Sequence, residues 1–130
     1  MGQPIAKQGD HVFGVDTHVV MVPSPGGPVP TPMPNPFAGQ LTDNLSGTVF
    51  VDNKPVAMVD SVANNLPAHL PMGGPFQKPP ANKGTVTQGS ATVFVDNKGV
   101  ARRNDPAKCC NDPADQDTGH IVATGTAFCG

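Results

Sequence analysis

The chain has 130 residues, a formal net charge of −2 and 14% charged side chains. That is one domain by size, residues 1–130, with neither the repulsion that keeps a chain open nor the positive field that grips phosphates; nucleic-acid binding is not expected. Valine occurs 16 times, leucine four times and glutamate not at all, against 15 Gly and 16 Pro, so an all-β fold punctuated by turns is predicted, because helices draw on leucine and glutamate while valine suits a pleated surface.

The first ten residues, Met1 to Asp10, contain no apolar core and read as no secretory signal. Val19-Val-Met-Val22 is the longest valine-rich stretch, far short of the ~20 residues of a helical membrane span, so no stable membrane insertion is expected. The three cysteines, Cys109, Cys110 and Cys129, are odd in number and two are adjacent. That is a poor disulfide framework and favours metal binding in a chain made in a reducing cytoplasm.

An internal repeat organises the sequence. Thr48-Val-Phe-Val-Asp-Asn-Lys54 recurs identically as Thr92 to Lys98. Each copy reads as a short strand, an Asp-Asn turn and a return strand. A truncated copy, Gly119 to Phe128, closes the chain, and Pro4 to Asp10 opens it with the complementary piece. First and last segments that complete one another imply a closed, pseudo-threefold object. Two proline-rich stretches, Pro23–Pro36 and Pro67–Pro80, read as stiff surface loops in polyproline II form.

The histidines fall at one place in this repeat: Asp10 is followed by His18, Asp60 by His69 and Asp105 by His120, each a few residues before the next predicted strand. Threefold closure would bring the three imidazoles together. Cys109, with Cys110 as its competitor, offers a fourth ligand, because adjacent residues on an extended segment point opposite ways. Three imidazoles and a thiolate form a closed tetrahedral set suited to structural zinc. The expected ligands are thus His18, His69, Cys109 and His120.

The Gly-Ser-Ala-Thr-Val-Phe-Val-Asp-Asn-Lys-Gly-Val-Ala-Arg run (residues 89–102), with Gly9-Asp10, Val59-Asp60 and Asn104-Asp105-Pro106, resembles the PAAR-repeat family, more closely its PAAR-like relatives with long loops. The naming Pro-Ala-Ala-Arg element stands here as Pro55-Val-Ala-Met58 and Gly99-Val-Ala-Arg102. The resemblance implies a short β-repeat cone with a zinc near its apex, held by three His and one Cys. It further implies a non-enzymatic spike tip, one copy capping a trimeric VgrG-like spike of a contractile injection apparatus such as a type VI secretion system. Such a tip is assembled in the bacterial cytoplasm and ejected with the spike, and effector proteins are further expected partners. An effector adaptor and, more remotely, a small zinc or cysteine hydrolase are the alternatives. The chain stops at Gly130, which reads as a bare tip.

Overall fold

The structure is a computed structural model that describes residues 2–130. Twelve strands follow in chain order: β1 Gln3–Pro4, β2 His11–Val22, β3 Val29–Asp43, β4 Phe50–Val51, β5 Lys54–Pro55, β6 Val62–Asn65, β7 Lys83–Val86, β8 Phe94–Val95, β9 Lys98–Gly99, β10 Pro106–Cys109, β11 Gln116–Val122 and β12 Phe128–Cys129. No helix occurs among the described residues, as the composition predicts. Six strands close an antiparallel barrel in the order β10-β11-β2-β3-β6-β7, and the other six form three two-stranded sheets.

The identical heptapeptides form two of those small sheets, β4/β5 and β8/β9. Both central residues of each turn have positive φ, Asp52 at 53° and Asn53 at 64°, Asp96 at 51° and Asn97 at 65°. That is the I′ geometry whose twist matches a hairpin, and Asp and Asn tolerate it better than most residues. The third sheet joins the two ends of the chain: Pro4 lies opposite Phe128 as Pro55 lies opposite Phe50 and Gly99 opposite Phe94. The three phenylalanines at this shared position are 56%, 60% and 58% exposed at 50, 94 and 128.

Behind the hairpins the three units lock in a ring. The N–H of Ala6 donates to the carbonyl of Ala101, that of Ala101 to Ala57 and that of Ala57 to Ala6, at 2.9, 3.0 and 2.9 Å. All three alanines are fully buried; larger side chains would have to displace this packed centre. The next layer repeats the rule, with the N–H groups of Leu41, Val86 and Ile121 bonded to the carbonyls of Asp10, Ser61 and Asp105. Each of these last residues also caps its turn: side-chain oxygens of Asp10, Ser61 and Asp105 accept the N–H of Lys7, Met58 and Arg102 at 3.0, 3.0 and 2.8 Å.

This corrects the alignment drawn from sequence. Asp60 has φ 78° and occupies the turn position of Gly9 and Asn104, at 89° and 72°; Ser61 is the counterpart of Asp10 and Asp105. His18 and His69 both lie eight residues after their capping residue, whereas the eighth residue after Asp105 is Pro113. His120 is out of phase.

The first proline-rich stretch also differs from expectation. Residues 29–36 are the first half of β3, paired with β2 through twelve residue pairs from His11↔Gln40 to Val22↔Val29. Pro30, Pro32, Pro34 and Pro36 face Met21, Val19, Thr17 and Val15. The N–H groups of Thr17, Val19 and Met21 point away from β3, to Asn111 Oδ1, Asp112 Oδ2 and the Pro75 carbonyl at 2.7, 2.9 and 2.8 Å. These are therefore non-hydrogen-bonded pairs, and the donors that proline lacks fall on the outer edge of β3. Alternating proline leaves the strand paired on one side and blunt on the other. The second stretch, 67–80, is irregular, apart from a bridge between Phe76 and Val20.

Candidate metal centre

β2 outruns the barrel. Its pairing with β11 covers His11 to Gly14, and beyond that it carries Asp16 and His18, which share a face because alternate strand residues do. Both are buried, at 0% and 1% exposure. Two segments close over this extension. After β6 the chain brings His69 in, its N–H bonded to Asn82 Oδ1 at 2.8 Å and its Nδ1 against Asn65 Nδ2 at 3.2 Å. After β10 comes Cys110, its N–H bonded to the Lys83 carbonyl.

Asp16, His18, His69 and Cys110 form one buried cluster whose ligand atoms all lie within 4.8 Å of one another. Asp16 Oδ2 accepts from His69 Nε2 at 2.8 Å and lies 3.5 Å from Cys110 Sγ; Cys110 Sγ is 3.6 Å from His18 Nε2. Tetrahedral bonds of about 2.0–2.3 Å to one ion put ligand atoms roughly 3.3–3.6 Å apart, which the two sulfur contacts already match, while the other pairs must adjust from separations of at most 4.8 Å. The edges of Phe37 and Phe76 pack on His69 and His18, with ring centroids 6.2 and 5.8 Å away.

The electrostatics fit a cation. Asp16 is fully buried, and its sole ion-pair partner among the described residues is His69; a buried carboxylate next to a thiol is costly without positive charge. Desolvation holds His18 below the usual imidazole pKa, only partly opposed by Asp112, so its ring is neutral and able to ligate. Desolvation, and after it the Asp16 carboxylate, pushes the Cys110 thiol up to about 11; a bound cation would reverse that balance and favour thiolate. Nδ1 of His18 is buried without a hydrogen-bond partner. The cluster can thus hold a metal ion through two nitrogens, one sulfur and one oxygen.

Of the four ligands expected from sequence, the fold brings His18 and His69 together and leaves Cys109 and His120 outside. Cys109 ends β10 facing the barrel interior and belongs to its apolar core; methyls built on Gly84 and Gly119 would meet its sulfur at 3.0 and 2.6 Å. Burial pushes this thiol up to about 12. Cys110, one residue on, turns to the opposite side. His120 is exposed and sits opposite Phe13 on the outer face of β11. Asp16 lies outside the three-His, one-Cys set expected from sequence, although its i,i+2 spacing from His18 already puts the two on one strand face.

The row Cys110–His18–Asp112 also has the order of nucleophile, base and orienting acid, with 3.6 Å steps. Asp16, 3.5 Å from the sulfur, works against the thiolate such chemistry needs. No family model, curated protein or solved structure matches the chain.

Proposed function

We propose that this chain is a structural tip of the PAAR-like type, a short cone that caps the trimeric β-helical spike of a contractile injection apparatus and carries one stabilising zinc. The observation that carries this reading is the repetition of one exposed residue, Phe50, Phe94 and Phe128, on three two-stranded sheets tied by the alanine ring. A single chain that offers the same aromatic three times around one centre suits a partner with threefold symmetry, since each subunit then meets an equivalent contact. The free strand edges at the end of such a trimer need covering, and one pseudo-threefold copy covers all three.

Co-expression with the trimeric spike protein of the same organism tests this. One chain per spike trimer is expected, together with loss of the complex when all three phenylalanines become serine while the circular dichroism spectrum stays that of the parent. A well-folded parent that fails to bind the trimer, or a triple variant that binds equally well, overturns the reading.

One observation favours a second role as an effector adaptor. A groove of about 310 Å³ beside the metal cluster is bordered by Leu66, Leu70 and Met72, which are 73%, 73% and 62% exposed. Exposed apolar side chains around a concavity mark interaction sites. Polar substitutions at these three positions should release cargo and leave spike binding intact; cargo retained by that variant removes the adaptor reading.

A further inference from the structure

Asp112 is held against the strand that carries His18. Its N–H donates to the Thr17 carbonyl at 2.8 Å, and its Oδ2 accepts the Val19 N–H at 2.9 Å. Asp112 is thus anchored on both sides of His18, by its own N–H at Thr17 and by its carboxylate at Val19, with its side chain only 6% exposed. The same Oδ2 lies 3.6 Å from His18 Nδ1, the buried ring nitrogen that has no hydrogen-bond partner. At the other end of that ring, Nε2 faces Cys110 and the cluster.

We infer that Asp112 is a positioning residue for the metal: its carboxylate accepts the Nδ1 proton of His18 and thereby fixes the tautomer that offers Nε2 to the ion. This rests on the reading that the cluster binds metal. A histidine can ligate through Nε2 only if its proton sits on Nδ1, and an acceptor there also raises the basicity of the ligating nitrogen. The present gap is longer than a hydrogen bond, and a ring shift of roughly 0.6 Å closes it.

His69 lacks this arrangement. Its Nδ1 faces the amide nitrogen of Asn65, whose oxygen is committed to the Ala38 N–H at 2.9 Å. Nε2 of His69 meanwhile bonds Asp16. Among the described residues no acceptor therefore faces Nδ1 of His69, whereas His18 has a carboxylate beside its Nδ1. Asp112 accordingly makes His18 the better prepared imidazole of the pair.

The test uses the full chain and Zn²⁺, with affinity measured by competition against a chromophoric chelator. Relative to the parent, Asp112→Ala should bind about 10–100-fold more weakly, Asp112→Asn should fall between the two, and Asp112→Glu should recover most of the loss. In ¹⁵N-histidine spectra of the zinc-loaded parent, His18 should carry its proton on Nδ1 with slow exchange, and Asp112→Ala should lose that protected signal. A purely structural role would not move it. If Asp112→Ala fails to fold, the isosteric Asp112→Asn decides. Parent-like affinity in the folded variants, or a His18 proton on Nε2 in the zinc-loaded parent, overturns this inference alone. A parent that binds no zinc overturns the metal reading as well.

Discussion

Asp16 and His69 lie 53 residues apart in the chain, yet Oδ2 of the one meets Nε2 of the other at 2.8 Å with both side chains buried. The contact ties the β2–β3 hairpin to the irregular 66–82 segment, and Cys110 adds the segment after β10. Three stretches with few regular contacts among themselves thus meet at one polar cluster. Asp16→Ala removes a candidate ligand and leaves the buried His69 Nε2 without its carboxylate partner, while the Thr118 hydroxyl keeps the Gln116 carbonyl at 3.5 Å. Zinc affinity should fall at least as far as the roughly 10–100-fold that loss of an outer-shell partner costs. The lost contact to buried His69 should cost the metal-free protein about 1–3 kcal/mol in urea unfolding.

The two adjacent cysteines should separate cleanly. In protein loaded with Co²⁺, Cys110→Ser should abolish the thiolate-to-cobalt charge-transfer band, while Cys109→Ser should keep it. Cys109→Ser instead puts a hydroxyl into the apolar barrel core, at a cost of about 1–3 kcal/mol. The reverse pattern would return the ligand role to Cys109.

His120→Ala should leave both metal affinity and stability within about 0.5 kcal/mol of the parent, as befits an exposed residue away from the cluster. Its equivalents in the other units are Gln40 and Thr85, which precede Leu41 and Val86 as His120 precedes Ile121. A large loss of zinc affinity in this variant would mean that β11 rearranges when the ion binds.

Gly119→Ala should destabilise by about 1–3 kcal/mol through overpacking, since the added methyl would lie 2.6 Å from Cys109 Sγ and 2.8 Å from Val12 Cγ1. Adding Cys109→Ala should relieve part of that cost. Strict additivity in this double-mutant cycle would show that the two sites do not share the crowded space.

The stability of the metal-free protein should fall on both sides of a neutral plateau. His18 is held below its usual pKa by desolvation, so the unfolded state binds the proton more readily. Its contribution is complete above about pH 6.5 and is lost as pH drops from there towards the folded value. The thiols of Cys109 and Cys110 are raised to about 12 and about 11. Their contribution is complete below the unfolded value near 9 and is lost as pH climbs towards those folded values. Zinc should remove the share of Cys110 from the alkaline limb. An unfolding midpoint that stays flat from pH 5 to 11 would contradict this account.

Local chemistry reveals the all-β class and the hairpins of the repeat. Thr-Val-Phe-Val-Asp-Asn-Lys encodes an extended run and a left-handed turn within seven residues, and both copies fold that way, with the chain ends pairing as a third two-stranded sheet. Alternating proline has the composition of a loop, yet opposite a strand whose N–H groups point elsewhere its missing donor costs nothing, and 29–36 is strand. The cluster depended on more than local chemistry. His18 and His69 are legible as candidates, each eight residues after Asp10 and Ser61, but His120 lies 15 residues after Asp105 and shares with them only a place ahead of a predicted strand. Only the backbone angle at Asp60, where Gly9 and Asn104 are likewise left-handed, resolves that register. Closure of the barrel, a long-range pairing of β7 with β10, decided which way Cys109 and Cys110 face and turned Asp16 inward. A strand's two faces are equivalent in sequence until the sheet that buries one of them is complete.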